Sequence, residues 1–212
     1  MAIPSRFLYR PVVFPGRPVA LALLLLTLLG GCGINTIPTL EEEAKAAWSQ
    51  VLNQYQRRYD LVPNLVETVK GFAQQEREVL TEVVEARSRV GQMQIPPDIL
   101  TNPEAFERFQ QNQQALSGAL SRLLVVAERY PELRSSQNFL TLQAQLEGTE
   151  NRIAVARRDY IQAVQRYNTE LRTIPGRWWA ALLYRDAKPM QQFTAEAPAM
   201  EAPKVEFGES PS

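Results

Sequence analysis

The chain has 212 residues, with 23 Lys plus Arg against 23 Asp plus Glu, no His and one Cys. These counts exclude a His-based catalytic triad, a His metal site, a two-Cys redox pair, a multi-Cys zinc cluster and an internal disulfide. There are 10 Gly but no P-loop and no GxGxxG, and the zero net charge argues against nucleic acid as a partner.

Residues 1–31 differ from the rest. Arg6, Arg10 and Arg17 are the only charges before Glu41, and Val19 to Leu29 is an apolar run broken only by Thr27. Gly30 and Gly31 follow, then Cys32. A basic start, a short apolar core and small residues before a cut are the layout of a secretory signal. Leu29-Gly30-Gly31-Cys32 resembles a bacterial lipobox, which makes Cys32 the lipidation site. The alternative is an uncleaved anchor helix, for which the apolar stretch is short. Either way the arginines stay on the cytoplasmic side and the bulk of the chain is periplasmic or extracellular. Three of the 23 basic residues lie in 1–31, so the remainder carries 20 basic against 23 acidic residues. That balance provides no polybasic membrane patch.

Residues 32–39 read as a short linker and 40–185 as an all-α antiparallel bundle of three long helices plus a short fourth. The first helix spans Leu40 to Val90. Thr39 and Glu42 form a capping box, and Pro38 blocks extension backwards. Trp48, Val51, Tyr55, Val62, Leu65, Val69, Phe72, Val79, Val83, Ala86 and Val90 alternate steps of three and four, as a helix seam requires. Arg58 and Glu76 are polar members of that seam. Pro63 predicts a kink near Tyr59 or Asp60, with Asn64 bonding the freed backbone. The second helix opens at Asn102-Pro103-Glu104, has the seam Phe106, Phe109, Gln113, Leu116, Leu120, Leu123, Ala127, Tyr130, and ends at Pro131. The third runs from Ser135-Ser136 to about Thr173, with Phe139, Leu142, Leu146, Thr149, Ile153, Ala156, Tyr160, Ala163 and Tyr167 on its seam. Arg177 to Tyr184 supplies the partial fourth helix. Residues 186–212 are rich in Pro, Ala and Glu and read as a flexible tail, with local docking of Val205 and Phe207 left open.

Trp48 to Phe72 resembles the signature of the LemA family. So do Tyr130-Pro131-Glu132-Leu133, Phe139 to Gln143, Leu146 to Ile153, Ala156 to Tyr160, and the ending from Phe193 to Phe207. The resemblance covers roughly residues 40–207. It implies a long antiparallel helical bundle, an N-terminal membrane anchor and no established enzymatic activity; one branch of the family takes part in magnetosome assembly. The lipobox-like Cys32 departs from the uncleaved transmembrane helix common in the family.

Arg58, Asp60, Glu76, Glu150, Arg157 and Asp159 are the candidate interaction or register residues. Arg58 and Glu76, eighteen positions apart, are about 27 Å apart along one helix and cannot pair. Arg58 is expected to meet Asp159 or Glu150, and Glu76 to meet Arg152 or Arg157. Such groups either fix helix register or form a polar pocket for a small anion or peptide. Trp178, Trp179 and Tyr184, flanked by Arg177 and Arg185, either contact the membrane interface or cap the bundle. No catalytic residue, metal ligand or cofactor is expected, since a carboxylate metal site of the Glu-x-x-His type needs His. The expected partners are the membrane and unidentified proteins, with a homo-oligomer as a further option. The expected function is a non-enzymatic, membrane-anchored scaffold or partner-binding protein. The alternative is a lipid- or small-ligand-binding bundle that uses the polar seam.

Overall fold

The computed structural model describes residues 33–194. Among these, every regular element is helical: α1 (Thr36–Phe72), α2 (Arg77–Gln92), α3 (Pro103–Ala127), α4 (Pro131–Arg134), α5 (Gln137–Glu170) and α6 (Gly176–Leu182). The all-α antiparallel bundle is therefore present, with one change of plan. What reads as a single helix from 40 to 90 is two helices folded back on each other.

The break lies at Ala73–Glu76 and not at Pro63. No Pro or Gly lies within it, though Gly71 stands in the last turn of α1 just before it. Leu80, Val83 and Ala86 form an apolar face that a straight continuation would carry away from the other helices. Folding back buries that face against α1 and α3, and this tertiary gain outweighs unbroken helix propensity. Phe72, a seam position in the sequence, is left 43% exposed because the helix ends there.

Pro63 sits inside α1. It has no N–H, so the Tyr59 carbonyl loses its partner one turn along. Asn64 is exposed and does not fill the gap; its carbonyl accepts from Thr68. Arg87 does so from α2. Its Nε donates to the Tyr59 carbonyl at 3.4 Å, and its guanidinium lies 4.0 Å from the centre of the Tyr59 ring. The proposed capping box is also absent. α1 already starts at Thr36, and the Thr39 hydroxyl donates to the Asn35 carbonyl at 2.8 Å. Pro38 is accommodated because first-turn N–H groups need no helical acceptor. At α3 the reading holds: the Asn102 side chain accepts from the Ala105 N–H at 3.2 Å and Pro103 opens the helix.

Contacts set the directions. Glu43 meets Arg166, Trp48 meets Tyr160 and Arg58 meets Glu150, so α5 runs antiparallel to α1. Trp48 packs on Phe106 and Arg58 bonds Gln113, so α3 runs parallel to α1. Arg122 of α3 is paired with Glu82 of α2. The result is an up-down-up-down arrangement.

The core has two storeys. The upper one contains Trp48, Val51, Tyr55, Phe106, Phe109, Ile153 and Tyr160; the lower one contains Val62, Leu65, Val69, Val83, Leu116, Leu120, Leu123 and Leu146. The short α2 walls only the lower storey. In the upper storey a different element takes its place. Residues 187–194 run as a strap across Trp48, Phe106 and Tyr160, burying Met190 and Phe193. The flexible tail expected from residue 186 onward is thus corrected for this stretch; residues 195–212, with Val205 and Phe207, lie outside the described residues. The strap is held by its backbone. Asn168 donates to the Met190 carbonyl and accepts from the Met190 N–H, each at 2.9 Å. The Tyr160 hydroxyl donates to the Gln191 carbonyl at 2.8 Å, and the Gln191 N–H donates to the Leu100 carbonyl at 2.7 Å.

Candidate functional site

Between the storeys lies a polar layer. Arg58, Gln113 and Thr149 are the buried polar residues among those described, and they come from α1, α3 and α5. Each occupies a seam position where the heptad spacing would otherwise place an apolar side chain. Arg58 is 1% exposed. Its Nη2 donates to the Gln113 side-chain oxygen at 2.6 Å and to the Gln113 carbonyl at 3.1 Å. Its Nη1 donates to Glu150 at 3.0 Å and to the Ser117 hydroxyl at 2.5 Å. The guanidinium also lies 4.9 Å from the Tyr55 ring centre. Thr149 bonds back to the Gln145 carbonyl at 2.7 Å.

This layer spends its polar groups internally. Arg58 Nε alone among its donors lacks a partner. Ser117 is not an activated nucleophile, because its neighbour is a guanidinium that cannot take a proton. Burial pushes the Tyr55 hydroxyl up, against the lowering pull of Arg157 and Arg58. It is therefore neutral at ordinary pH. A groove of 470 Å³ opens beside the layer, lined by Tyr55, Tyr59, Val90, Gly91, Met93 and Gln113. The Gln113 side-chain oxygen is already committed to Arg58.

The other expected residues are dispersed. Asp60 is exposed and accepts from Gln56 at 2.8 Å. Glu76 does not meet Arg152 or Arg157. The break after α1 carries it to the far end of α3, where it accepts from Tyr130 at 2.8 Å and pairs with Arg129 at 3.4 Å. Arg157 leaves the polar layer and covers Phe193 of the strap at 4.5 Å. Asp159 is exposed and is not the partner of Arg58; Glu150 is. Among the described residues no group of three or more His, Cys, Asp or Glu converges as a metal site would. Ser117 escaped notice, although it lies one turn after Gln113 on the same helix face.

The second candidate region is the bundle end that carries α6. Trp179, Ala180 and Tyr184 pack against the upper core, while Trp178 is 58% exposed. The Tyr184 hydroxyl donates to the Ile34 carbonyl at 3.0 Å. Gly176 is buried, and a side chain there would strike the Glu170 backbone carbonyl, so only glycine lets α6 dock this closely. Cys32 lies outside the described residues. No helix among them is long and apolar enough to cross a membrane.

Among the described residues, slender antiparallel helices, a polar layer between two apolar storeys and α6 packed at one end define a helical bundle. The LemA family model matches residues 47–207, and the chain belongs to the LemA family. Two curated relatives are magnetosome proteins MamQ 1 and MamQ 2 of Paramagnetospirillum magneticum. Each is 28% identical over 188 residues, covering 81% of this chain and 68% of the relative.

Proposed function

We propose that this protein is a non-enzymatic, membrane-anchored helical scaffold of the cell envelope. It works by presenting helix faces to protein partners. The observation that carries this reading is the polar layer. Arg58, Gln113, Ser117 and Glu150 bond one another across three helices and leave Arg58 Nε as the unpartnered buried atom of the guanidinium, an arrangement that supports a register device over a receptive ligand pocket. Family membership supports association with a membrane, and the apolar run Val19 to Leu29 followed by Gly30-Gly31-Cys32 supports the means of attachment. The relatives are named as magnetosome proteins; no feature of this chain singles out that setting for it.

The ligand-binding alternative draws on the 470 Å³ groove beside Tyr55 and Tyr59. Native mass spectrometry of protein extracted from membranes decides between the two. A scaffold gives the mass of the chain with its N-terminal modification alone. A retained lipid or metabolite, lost in a Tyr59→Ala, Gly91→Leu variant, would replace the scaffold reading with the alternative. The same spectrum tests the anchor. A diacylated or triacylated Cys32, absent from Cys32→Ser, is the expected result. An unmodified chain beginning near Met1 would instead assign the anchor to an uncleaved helix.

A further inference from the structure

We infer that the α6 end of the bundle is itself a membrane contact, an aromatic and aliphatic wedge seated in the headgroup region of an anionic lipid surface. The inference rests on the membrane-anchored reading above and deepens it.

Elsewhere the exposed large apolar side chains are spread over several elements: Phe72, Val84, Ile95, Val125, Leu140 and Val155. At the α6 end they crowd. Ile174 is 64% exposed, Trp178 58%, Leu182 65% and Leu183 55%. Trp178 and Leu182 are four apart on α6 and share a face. The opposite face, through Trp179 and Ala180, is bound to the core. A seven-residue helix that buries one apolar face and leaves another open has a second surface to satisfy.

The place of this patch names what covers it. Gly33 is the first described residue, and it lies against α6: a side chain added there would meet Pro175 at 3.5 Å and Trp179 at 3.8 Å. Tyr184 ties the same end to Ile34. Leu29, the last residue of the apolar run, is four residues before Gly33. Four residues span at most about 14 Å. Whether lipid is carried on Cys32 or the apolar run enters the bilayer, α6 is held within reach of the surface. Arg172, Arg177, Arg185 and Lys188 are exposed around the patch, against the acidic Glu170 and Asp186. Arginine binds phosphate oxygens in pairs, and tryptophan suits the headgroup zone. The result is a bundle held at two points, which fixes its tilt as well as its attachment.

The test uses the full chain reconstituted in phosphatidylglycerol–phosphatidylethanolamine vesicles, with and without bromine on the acyl chains. Flotation with the vesicles is read first, then tryptophan emission. The proposal expects bromolipid quenching in the native protein that is largely lost in Trp178→Phe, with unchanged far-UV circular dichroism. A floating protein quenched no more than Trp178→Phe would overturn the wedge and leave the anchor standing. A protein that fails to float would remove both. Blue-shifted but unquenched Trp178 emission with a doubled cross-linked mass would assign the patch to a second copy, and would also overturn it.

Discussion

At the residue scale the molecule turns on two arginines. Arg58 is a buried charge whose partner Glu150 keeps 40% of its side chain exposed. Removing such a cation strands the groups that face it. Arg58→Ala is therefore expected to cost about 2–4 kcal/mol, read by urea unfolding, from the orphaned Gln113 oxygen and the cavity left by the side chain, while Glu150 stays solvated. Arg58→Met leaves Gln113 buried without a donor and costs about 1–3 kcal/mol. Adding Gln113→Leu to Arg58→Met removes that orphan and restores stability to within about 1 kcal/mol of the native protein. Failure of the second change to rescue the first would mean that Gln113 is not the group left stranded. Arg87 is the other case. It supplies the donor that Pro63 withholds from Tyr59 and stacks on the same ring. Arg87→Ala is expected to cost about 1–2 kcal/mol. In a Pro63→Ala background the helix supplies its own donor, and the cost of Arg87→Ala should fall by about 1 kcal/mol. Strict additivity in that double-mutant cycle would show that the Arg87–Tyr59 bond has no tie to the proline.

At the element scale the strap is the least expected part. Its composition matches the Pro- and Ala-rich sequence that follows, and two apolar residues three apart, Met190 and Phe193, are too weak a pattern to announce a packed segment. What decides its fate is the empty wall above the short α2, which only the folded helices create. The break at Ala73 was hidden for a similar reason: local propensity favours continuing, and the choice depends on where the apolar face of α2 is buried. The long seams were legible because spacing alone defines them. Trp48, Val51, Tyr55, Phe106, Phe109, Leu116, Phe139, Leu146, Ile153 and Tyr160 are all in the core. The Arg58–Glu150 pair was legible for the same reason, whereas the partners of Glu76 depended on the unseen break. A chain ending at Asp186 lacks Met190 and Phe193. It is expected to lose about 4 kcal/mol, roughly 10 °C in Tm, and to bind a hydrophobic dye in its native state. An unchanged Tm would mean that the strap rests on the core without supporting it.

At the scale of the whole molecule, alkaline pH is the lever. The chain has no His. Among the described residues, Tyr160 and Tyr55 are raised by burial, Tyr167 is pushed up to about 12, first by burial and then by Glu41, Tyr130 is raised by its hydrogen bond to Glu76, and Lys45 is raised by Glu41 and Glu42. In the unfolded chain these hydroxyls ionise near pH 10. Above that pH the unfolded state has released protons that the native state still holds, so stability falls as pH rises. Thermal unfolding followed from pH 8 to 12 should give a Tm that declines beyond about pH 10 and continues to fall toward about 12. Tyr167→Phe removes one contributor and makes the decline shallower. A slope unaffected by that change would place the alkaline loss elsewhere.

The strap has a consequence for how the protein is made. Synthesis delivers Trp48 about 145 residues before Phe193, the last wall residue of the upper storey. Until then Trp48, Phe106 and Tyr160 lack their cover, and a ribosome that stalls early releases a molecule with an oily notch on its flank. Exposed apolar surface is what chaperones and proteases recognise. In this fold the notch closes once Met190 and Phe193 are in place.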